Sequence, residues 1–324
     1  MPQSSAPAGW LWRAIQWLAL ATILVVGACS LLAFAARGHW RLELMSHFRA
    51  QYFWMLALAA VLLAFARRSR LAMIGAALAA VNLLLIVPLY FGPATVADRP
   101  VSRGMSLNVY FHNRDFNRTL ELIRREDPDF VLLLEVTPDW AEAMRALETT
   151  YPHGHLEPRK DSGGMALFSR VTIEDLEVRR LSEYGPSTIV ARLAFPSGTL
   201  TLVGGHTSSP KTPETFASRN EELILLGRLA SSRTGAVMLM GDMNCTSWSP
   251  YFQDMLTVSG LVDSRRGFGV EGSWPAVPLP LRIPIDHCLT TPDVAIKGRR
   301  IGAAVGSDHR PLVVDFSIAE AKQK

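Results

Sequence analysis

The first hundred residues contain three long apolar runs, and these runs constrain the fold more than any other feature of the chain. They cover residues 14–36, 50–66 and 71–91. A helix needs roughly 20 apolar residues to cross a bilayer, so the first and third runs are long enough and the second is near the lower limit. Trp10, Trp12 and Trp17 cluster at the start of the first run, as interfacial aromatic residues do. We therefore expect a membrane region over residues 1–98 with about three transmembrane helices.

Two other interpretations compete for the first apolar run. A cleaved signal peptide is disfavoured because the run is too long and two more apolar runs follow it. A lipoprotein signal is the second alternative, since the Val-Gly-Ala-Cys sequence that ends at Cys29 resembles such a cleavage site. However, the run continues for seven residues past Cys29. We interpret it as the first transmembrane helix.

The distribution of arginines predicts an orientation. Arg13 and the basic turn at residues 67–70 would lie on one side of the bilayer, with Arg37, Arg41 and Arg49 on the other. Because cytoplasmic loops carry more positive charge, the N-terminus and the turn are predicted to be cytoplasmic. We therefore expect a multi-pass protein of a bacterial-type inner (plasma) membrane, with the domain that follows on the non-cytoplasmic side. If the second run does not span, that domain lies in the cytoplasm.

Composition excludes some classes of protein. The formal net charge of +4 is too small to indicate a nucleic-acid-binding protein without a localised basic patch. Three cysteines without a CxxC spacing exclude a disulfide framework. Cys245 and Cys288 could pair in an oxidising compartment, but two isolated small residues are the simpler interpretation.

The sequence pattern changes after the third apolar run. Proline, glycine and mixed charge indicate a linker at residues 99–104, and residues 105–319 then alternate short apolar runs with a few helical patterns. Residues 281–289 are one of the predicted strands. His153 and His155 have a metal-ligand spacing but no supporting third ligand, so we interpret them as loop residues.

Several predicted strands of this domain end directly on a polar residue, which is unusual for a buried strand. These residues are Asn108, Glu135, His206, Asp242 and the pair Asp286–His287. A single polar strand end is common by chance. Five in one domain, all with groups suited to metal and phosphate chemistry, indicate a single site.

Each candidate also has a structural explanation. Asp242 and Asn244 follow a buried strand and would face one side of an extended chain, but they could equally form an Asx-turn. Glu135 could be a solvated strand end or a ligand for Mg²⁺. His206 follows two glycines, where the backbone can approach a ligand closely, although a lone histidine is more often structural. Asp286 lies among apolar residues and therefore requires a partner.

These residues carry a resemblance to a known family. The motifs are Leu107-Asn-Val109, Asp127-Pro-Asp-Phe-Val-Leu-Leu-Leu-Glu-Val136, Met165-Ala-Leu-Phe-Ser-Arg170, Gly205-His-Thr-Ser-Ser-Pro210, Gly241-Asp-Met-Asn244, Ile285-Asp-His287 and Gly306-Ser-Asp-His-Arg-Pro311. In this order they resemble the endonuclease/exonuclease/phosphatase superfamily, the DNase I-like fold, from Met105 to about Ala319. The resemblance implies an α+β fold, a four-layer α/β/β/α sandwich, preceded here by the transmembrane helical region.

The resemblance implies a metal site. Glu135 would coordinate Mg²⁺ or Mn²⁺, Asn108 would lie at the metal end of the site, and Asp308 would be a further metal-site carboxylate. No residues are assigned to an organic cofactor. Where some family members carry an acidic residue two positions after the first Asn, this chain has Tyr110, which removes one possible ligand and weakens a two-metal mechanism.

The resemblance also implies catalytic roles. Asp242 and Asn244 would orient the attacking water and the phosphate oxygens. His309 would contact the scissile phosphate or act as a base, with Asp286 holding its imidazole. His206 matches the histidine that serves as general acid in the nuclease branch. These roles supply an activated water and a proton for the leaving oxygen.

We therefore expect a membrane-anchored, divalent-metal-dependent phosphoesterase that hydrolyses phosphodiester bonds. The His206 match favours a nuclease, and the alternative is a phospholipid or inositol-phosphate head-group phosphodiesterase or phosphatase. A third alternative, a non-catalytic membrane scaffold, predicts that metal or water-activating residues are missing. The expected partners are the phosphodiester substrate (nucleic acid or phospholipid head group) and the lipid bilayer. No feature of the sequence indicates an obligate protein partner.

Overall fold

A computed structural model describes residues 7–92, 101–183, 185–277 and 280–319. Contacts divide the chain into one unit of Met1–Pro88 with Trp248–Pro250 and a second unit of Leu89–Ser247 with Tyr251–Lys324. The predicted limit between the membrane region and the linker, at residue 98, lies outside the described residues, as does the beginning of the predicted linker.

The first unit is built from apolar helices. These are α1 (Pro7–Leu32), α2 (Trp40–Leu44), α3 (Arg49–Phe65) and α4 (Ser69–Ile86), with short 3₁₀ turns at Ala33–Gly38, Met45–Phe48 and Val87–Tyr90. Three helical stretches, Gly9–Gly38, Trp40–Phe65 and Ser69–Tyr90, are long and apolar enough to cross a membrane. They overlap the three predicted spans.

Polar residues within and next to the apolar runs pair with one another inside this helical unit. Arg49 donates to the Ser30 carbonyl at 2.9 Å and to Asn82 Oδ1 at 3.3 Å. The Asn82 amide donates to Ser30 Oγ at 2.8 Å. All three residues are buried. In apolar surroundings such groups must find partners within the protein, so this cluster ties α1, α3 and α4 together.

The second unit contains two six-stranded sheets. The strands are β1 (Ser102–Asn108), β2 (Phe130–Leu134), β3 (His153–Glu157), β4 (Met165–Ser169), β5 (Thr172–Arg180), β6 (Ser187–Phe195), β7 (Gly198–His206), β8 (Ala236–Asp242), β9 (Val262–Asp263), β10 (Asp286–Thr290), β11 (Val294–Ile301) and β12 (Leu312–Ile318). The first sheet has the order β11-β12-β1-β2-β4-β3, and the second has the order β5-β6-β7-β8-β10-β9. Within the described ranges, the β1–β2 and β7–β8 pairs are parallel and the other strand pairs are antiparallel.

Helices cover the outer face of each sheet. They are α5 (Phe116–Glu126), α6 (Pro138–Met144, continued by a 3₁₀ turn at Arg145–Leu147), α7 (Pro213–Ser231) and α8 (Pro250–Ser259). Strand β2 shows how the layers form, because alternate side chains of a strand point to opposite faces. Leu132 lies in the core between the two sheets, whereas Leu133 packs under α5 and α6. A third core lies between the second sheet and α7 and α8. The predicted α/β/β/α sandwich is confirmed.

Two local predictions were wrong. The strand expected over residues 281–289 begins only at Asp286, because Pro284 has no N–H group for a sheet hydrogen bond. His153 and His155 lie in the edge strand β3 rather than in a loop, and His155 Nε2 lies 3.5 Å from Glu157 Oε2.

Candidate active site

The polar strand ends meet at one edge of the two sheets. Asn108 is in register with Leu134, the residue before Glu135, in the parallel β1–β2 pair. In the second sheet, Asp242 is in register with both His206 on β7 and Asp286 on β10. Because parallel strands end at the same edge and the antiparallel β10 begins there, the fold itself brings the five candidates together.

The glycine opposite Gly205 on the neighbouring strand serves this strand pairing. Gly205 is in register with Gly241, and a Cβ added to Gly241 would lie 1.9 Å from the Gly205 carbonyl oxygen. The φ of Gly241 is +142°, which disfavours any other residue. At Gly241 the close approach is between two strands, and the expectation that the glycines before His206 let the backbone approach a ligand stays a prediction.

Asn108 joins the first sheet to the second at the predicted metal end. Its amide nitrogen lies 3.0 Å from Glu135 Oε1 and 3.2 Å from Asp242 Oδ2. Glu135 Oε2 accepts the N–H of Phe111 at 3.1 Å. Glu135 has a φ of +61°, a left-handed conformation that is costly outside glycine and clusters at functional sites.

A buried imidazole lies between two carboxylates. His309 Nδ1 is 2.9 Å from Asp286 Oδ2, and His309 Nε2 is 3.5 Å from Asp242 Oδ2. Burial alone would lower the pKa of His309, but the two carboxylates raise this pKa to about 10. Burial would raise the pKa of Asp286, yet the charged imidazole lowers it. His309 therefore carries a positive charge at neutral pH.

Asp242 is the most connected carboxylate of the site. Burial raises its pKa to about 6, with Asp286 adding to the rise and His309 and His206 opposing it. His206 Nε2 lies 3.9 Å from both Asp242 Oδ2 and Glu135 Oε1. The other ring nitrogen of His206, Nδ1, is buried and has no hydrogen-bond partner among the described residues.

Asn244 reaches the site by a different route from the one predicted. The strand ends at Asp242, and Asn244 has a left-handed φ of +46°, so the two side chains do not share one face of an extended chain. Instead the Asn244 N–H donates to Asp242 Oδ1 at 2.8 Å, which is the Asx contact considered as the structural alternative. The Asn244 amide donates to the Thr207 carbonyl at 2.8 Å.

Asp308 lies near the same edge of the sheets, as its contacts and its neighbour in the chain show. It precedes His309, and its Oδ2 accepts the indole N–H of Trp274 at 3.1 Å. Its Oδ1 is buried without a hydrogen-bond partner in the described part of the chain. A buried carboxylate oxygen that lacks a donor suits a cation.

Three residues of the site were not found from the sequence. Ser307 Oγ donates to the Asn108 carbonyl at 2.7 Å and accepts the His309 N–H. Ser273 Oγ accepts the N–H of Asp286, and Trp274 holds Asp308. Ser307 lies in the quoted motif around His309, but serine and tryptophan in a Pro-rich loop carry no sequence signal for such contacts.

The buried acidic and imidazole groups could hold a metal ion. The nearest ligand atoms of Asp242, Asp286 and His309 all lie within 4.8 Å of one another. Glu135 and Asn108 extend this group of possible ligands, since Asn108 contacts both Glu135 and Asp242, and oxygen ligands of this kind are those that Mg²⁺ takes.

Comparisons with known proteins identify the family and agree with the fold. The model of the Endonuclease/Exonuclease/phosphatase family matches residues 105–309. The chain is similar to the solved structure of an endonuclease/exonuclease/phosphatase from Beutenbergia cavernae DSM 12333, with 20% identity and a TM-score of 0.57; the match covers 68% of this chain and 72% of that one. No curated protein sequence matches.

Two further solved structures show the range of proteins that share this fold. D. rerio TDP2 complexed with single strand DNA product has 17% identity and a TM-score of 0.57, and the match covers 67% of this chain and 99% of that one. Sphingomyelinase C from Streptomyces griseocarneus has 16% identity and a TM-score of 0.51, with 67% and 99% covered. At these identities the likeness concerns the fold.

Proposed function

We propose that this chain, which belongs to the endonuclease/exonuclease/phosphatase family, is a membrane-anchored hydrolase that cleaves phosphodiester bonds with the help of a divalent metal ion. The observation that carries the proposal is a series of contacts across the site. Asn108 contacts both Glu135 and Asp242, and Asp242 in turn contacts His309. This series combines a metal-binding carboxylate, a carboxylate suited to accept a proton and a cation suited to a phosphate. A non-catalytic scaffold has no need to bury these charges together.

Glu135, Asn108 and Asp308 would hold the metal, for which we propose Mg²⁺ or Mn²⁺. Their oxygens are the ligands that these ions prefer, and the unpartnered Asp308 Oδ1 fits a cation. The cluster around His309 suits a metal less well, because an imidazole protonated on both nitrogens has no lone pair to give to a metal. When bound, the ion supplies charge neutralisation at the phosphoryl group.

Asp242 and Asn244 would act on the attacking water. A general base works best when its pKa is near the working pH, and the pKa of about 6 of Asp242 meets this requirement. The Asn244 amide nitrogen carries two hydrogens. One is bonded to Thr207, and the other would donate to a phosphate oxygen.

His309 would bind the phosphate rather than act as the base. Its pKa of about 10 keeps it charged, and a protonated imidazole cannot take a proton from water. Asp286 fixes its orientation by accepting from Nδ1. His206, between Glu135 and Asp242, would donate a proton to the leaving oxygen.

A group of aromatic rings beside the metal end of the site favours nucleic acid as the substrate. The Tyr110, Phe111 and His112 rings contact one another, with centroids 3.9–5.8 Å apart, and His112 is exposed. The Phe111 N–H bonds Glu135 directly, so a group flanking the bound phosphate would meet these rings. Stacking of a base on an aromatic ring contributes about 1–3 kcal/mol. The solved DNA complex of D. rerio TDP2 has the same fold.

Phospholipid or inositol-phosphate head groups are the second candidate substrate. The three helices that could cross a membrane favour them, because a tethered enzyme works near bilayer lipids. The sphingomyelinase of similar fold is consistent with this alternative. We place the second unit on the non-cytoplasmic side of a bacterial-type inner membrane, which reporter fusions after Phe91 test directly. Reporter activity confined to the cytoplasm would contradict that topology.

A substrate panel separates these candidates. The full chain in detergent or nanodiscs is assayed with Mg²⁺ or with chelator on single-stranded DNA, duplex DNA, RNA, phospholipid vesicles and inositol phosphates. A single-stranded oligonucleotide with abasic sites in place of its bases is the matched control substrate. We expect the intact oligonucleotide to be cleaved with a kcat/KM about 5–100 times higher than the abasic one, and Phe111→Ala to remove most of this difference. Cleavage of vesicles but not of oligonucleotides would select the lipid alternative.

A further inference from the structure

Helix α7 contains two buried charged residues one turn apart. Arg219 and Glu222 are 0% and 1% exposed, and residues three apart lie on the same side of a helix. Burial of charged groups is costly, and apolar residues of similar volume often stabilise a protein equally well or better. Stability alone therefore does not explain this pair.

Glu222 binds the loop that follows His206. Its Oε2 accepts the backbone N–H of Ser208 at 2.6 Å, and its Oε1 accepts the Ser208 hydroxyl at 2.9 Å. Oε1 also accepts the Ser182 hydroxyl at 2.7 Å. Hydrogen bonds to an ionised carboxylate are about twice as strong as neutral ones, so Ser208, two residues after His206, is held firmly to α7.

Arg219 binds the loop that follows Asp242. Its Nη1 donates to the Asn244 carbonyl at 3.0 Å. The guanidinium lies 5.3 Å from the centroid of the Phe216 ring and 6.0 Å from that of Tyr251. Aromatic faces and a planar fork fix a guanidinium in one orientation. The carbonyl of Asn244 is thus tied to a rigid group on the same turn of the same helix.

The two loops are also bonded to each other. Asn244 donates from its side chain to the Thr207 carbonyl, and the Thr207 N–H donates to the Asp242 carbonyl at 3.1 Å. One turn of α7 therefore closes a ring of contacts that runs from Ser208 through Thr207 to Asn244. His206 is the last residue of β7, directly before Thr207, and Asp242 is the last residue of β8.

We propose that Arg219 and Glu222, together called the α7 clamp, are positioning residues that set the separation of His206 from Asp242 and Asn244. The inference rests on the proposed function, because it assigns the clamp to the same hydrolytic site. Neither clamp residue touches a reacting atom. Their effect is exerted through two backbone groups, the carbonyl of Asn244 and the N–H of Ser208. A displacement of about 1 Å in such a site can cost about a hundredfold in rate.

The kinetic test compares Arg219→Met and Glu222→Gln with Arg228→Met and Glu221→Gln, two matched changes at exposed positions of α7. For the clamp variants we expect kcat to fall about 10–100-fold while KM changes by less than about threefold. Arg219→Lys should restore part of the rate, since it keeps the charge but not the planar fork. In an Asn244→Ala background, Arg219→Met should reduce kcat by less than about threefold, because the Asn244 side chain whose position Arg219 sets has been removed.

Amide hydrogen exchange on the full chain tests the clamp without any activity. We expect exchange at least about tenfold faster at the Asn244 N–H in Arg219→Met and at the Ser208 N–H in Glu222→Gln, with the α7 control variants unchanged. Unchanged exchange, or a kcat loss that is fully additive with Asn244→Ala, would overturn the clamp. Absence of hydrolysis by the unaltered chain would instead overturn the proposed function, and the exchange result would still decide whether Arg219 and Glu222 hold the loops.

Discussion

His309 Nδ1 lies 2.9 Å from Asp286 Oδ2, and the two side chains form a buried ion pair at the start of β10. The carboxylate keeps the imidazole protonated, since the pKa of His309 is raised to about 10 by Asp286 and Asp242 against the opposing effect of burial. If the charged imidazole binds the phosphate, the loss of its proton should lower kcat/KM on the alkaline side of the pH profile.

Asp286→Asn should move that alkaline limb. Loss of the carboxylate charge lowers the pKa of His309, so the imidazole becomes neutral, and the rate falls, at a lower pH than in the unaltered chain. We expect the alkaline limb to shift down by about one unit or more, so that kcat/KM at pH 10 is at least about fivefold lower than in the unaltered chain. Asp175→Asn, an exposed aspartate, is the control. An unmoved limb would show that His309 does not act as a cation.

Glu135→Gln should weaken metal binding. The amide keeps the size of the side chain and one oxygen but removes the negative charge that a divalent ion needs. We expect the Mg²⁺ concentration for half-maximal activity to rise at least about tenfold, measured by titration of the metal-stripped chain. Glu183→Gln alters an exposed glutamate and should change nothing. Equal titration curves for the two variants would remove Glu135 from the metal site.

Trp274→Phe tests the role of Asp308. The change keeps an aromatic ring and deletes the indole N–H that lies 3.1 Å from Asp308 Oδ2. Groups that orient metal ligands typically change affinity about 10–100-fold, and we expect the lower end of this range in the same titration. If Asp308 does not serve the metal, the half-saturating Mg²⁺ concentration will be that of the unaltered chain.

His287 should make stability depend on pH. Burial, with the neighbouring Arg265 adding, lowers its pKa from 6.5 to about 3, and its Nε2 lies 2.7 Å from the Cys245 carbonyl. Between these two pKa values the unfolded chain binds a proton that the folded chain does not. The free energy of unfolding therefore falls as the pH is lowered through this window, by up to about 1.4 kcal/mol per pH unit.

Urea denaturation of the full chain in detergent, between pH 7 and pH 5, measures this dependence. His287→Asn removes the titrating group, so its unfolding free energy should fall less steeply with decreasing pH than that of the unaltered chain, even if the variant is less stable at pH 7. Parallel pH dependence in the two chains would mean that His287 is not held neutral in the fold.

The sequence predicts the framework well because strand patterns are local. The apolar run at Phe130–Leu134 is a strand with those bounds, and the polar residues that end such strands meet because pairing within each sheet aligns them. The family resemblance implies the four-layer arrangement of sheets and helices, which periodicity alone does not. The roles of the individual site residues stay predictions until the variants are measured.

What the sequence could not predict depends on contacts between distant segments or on unusual backbone. Asn244 adopts a left-handed φ, so the period-two rule places its side chain wrongly. Trp274 lies 34 residues from Asp308, and a proline-rich loop gives no sign of that contact. Arg219 and Glu222 look like surface charges of an amphipathic helix until the loops they hold are seen.

Hydrolysis by the full chain with Asp242 intact or replaced tests the central claim most directly. Initial rates are measured on the substrate panel with Mg²⁺ and with chelator, for the unaltered chain, Asp242→Asn and the exposed control Asp293→Asn. We predict metal-dependent cleavage of at least one phosphodiester, an unchanged rate for Asp293→Asn, and a kcat about 1,000-fold lower for Asp242→Asn. Turnover by Asp242→Asn at the unaltered rate, on any substrate that the chain cleaves, would contradict the account.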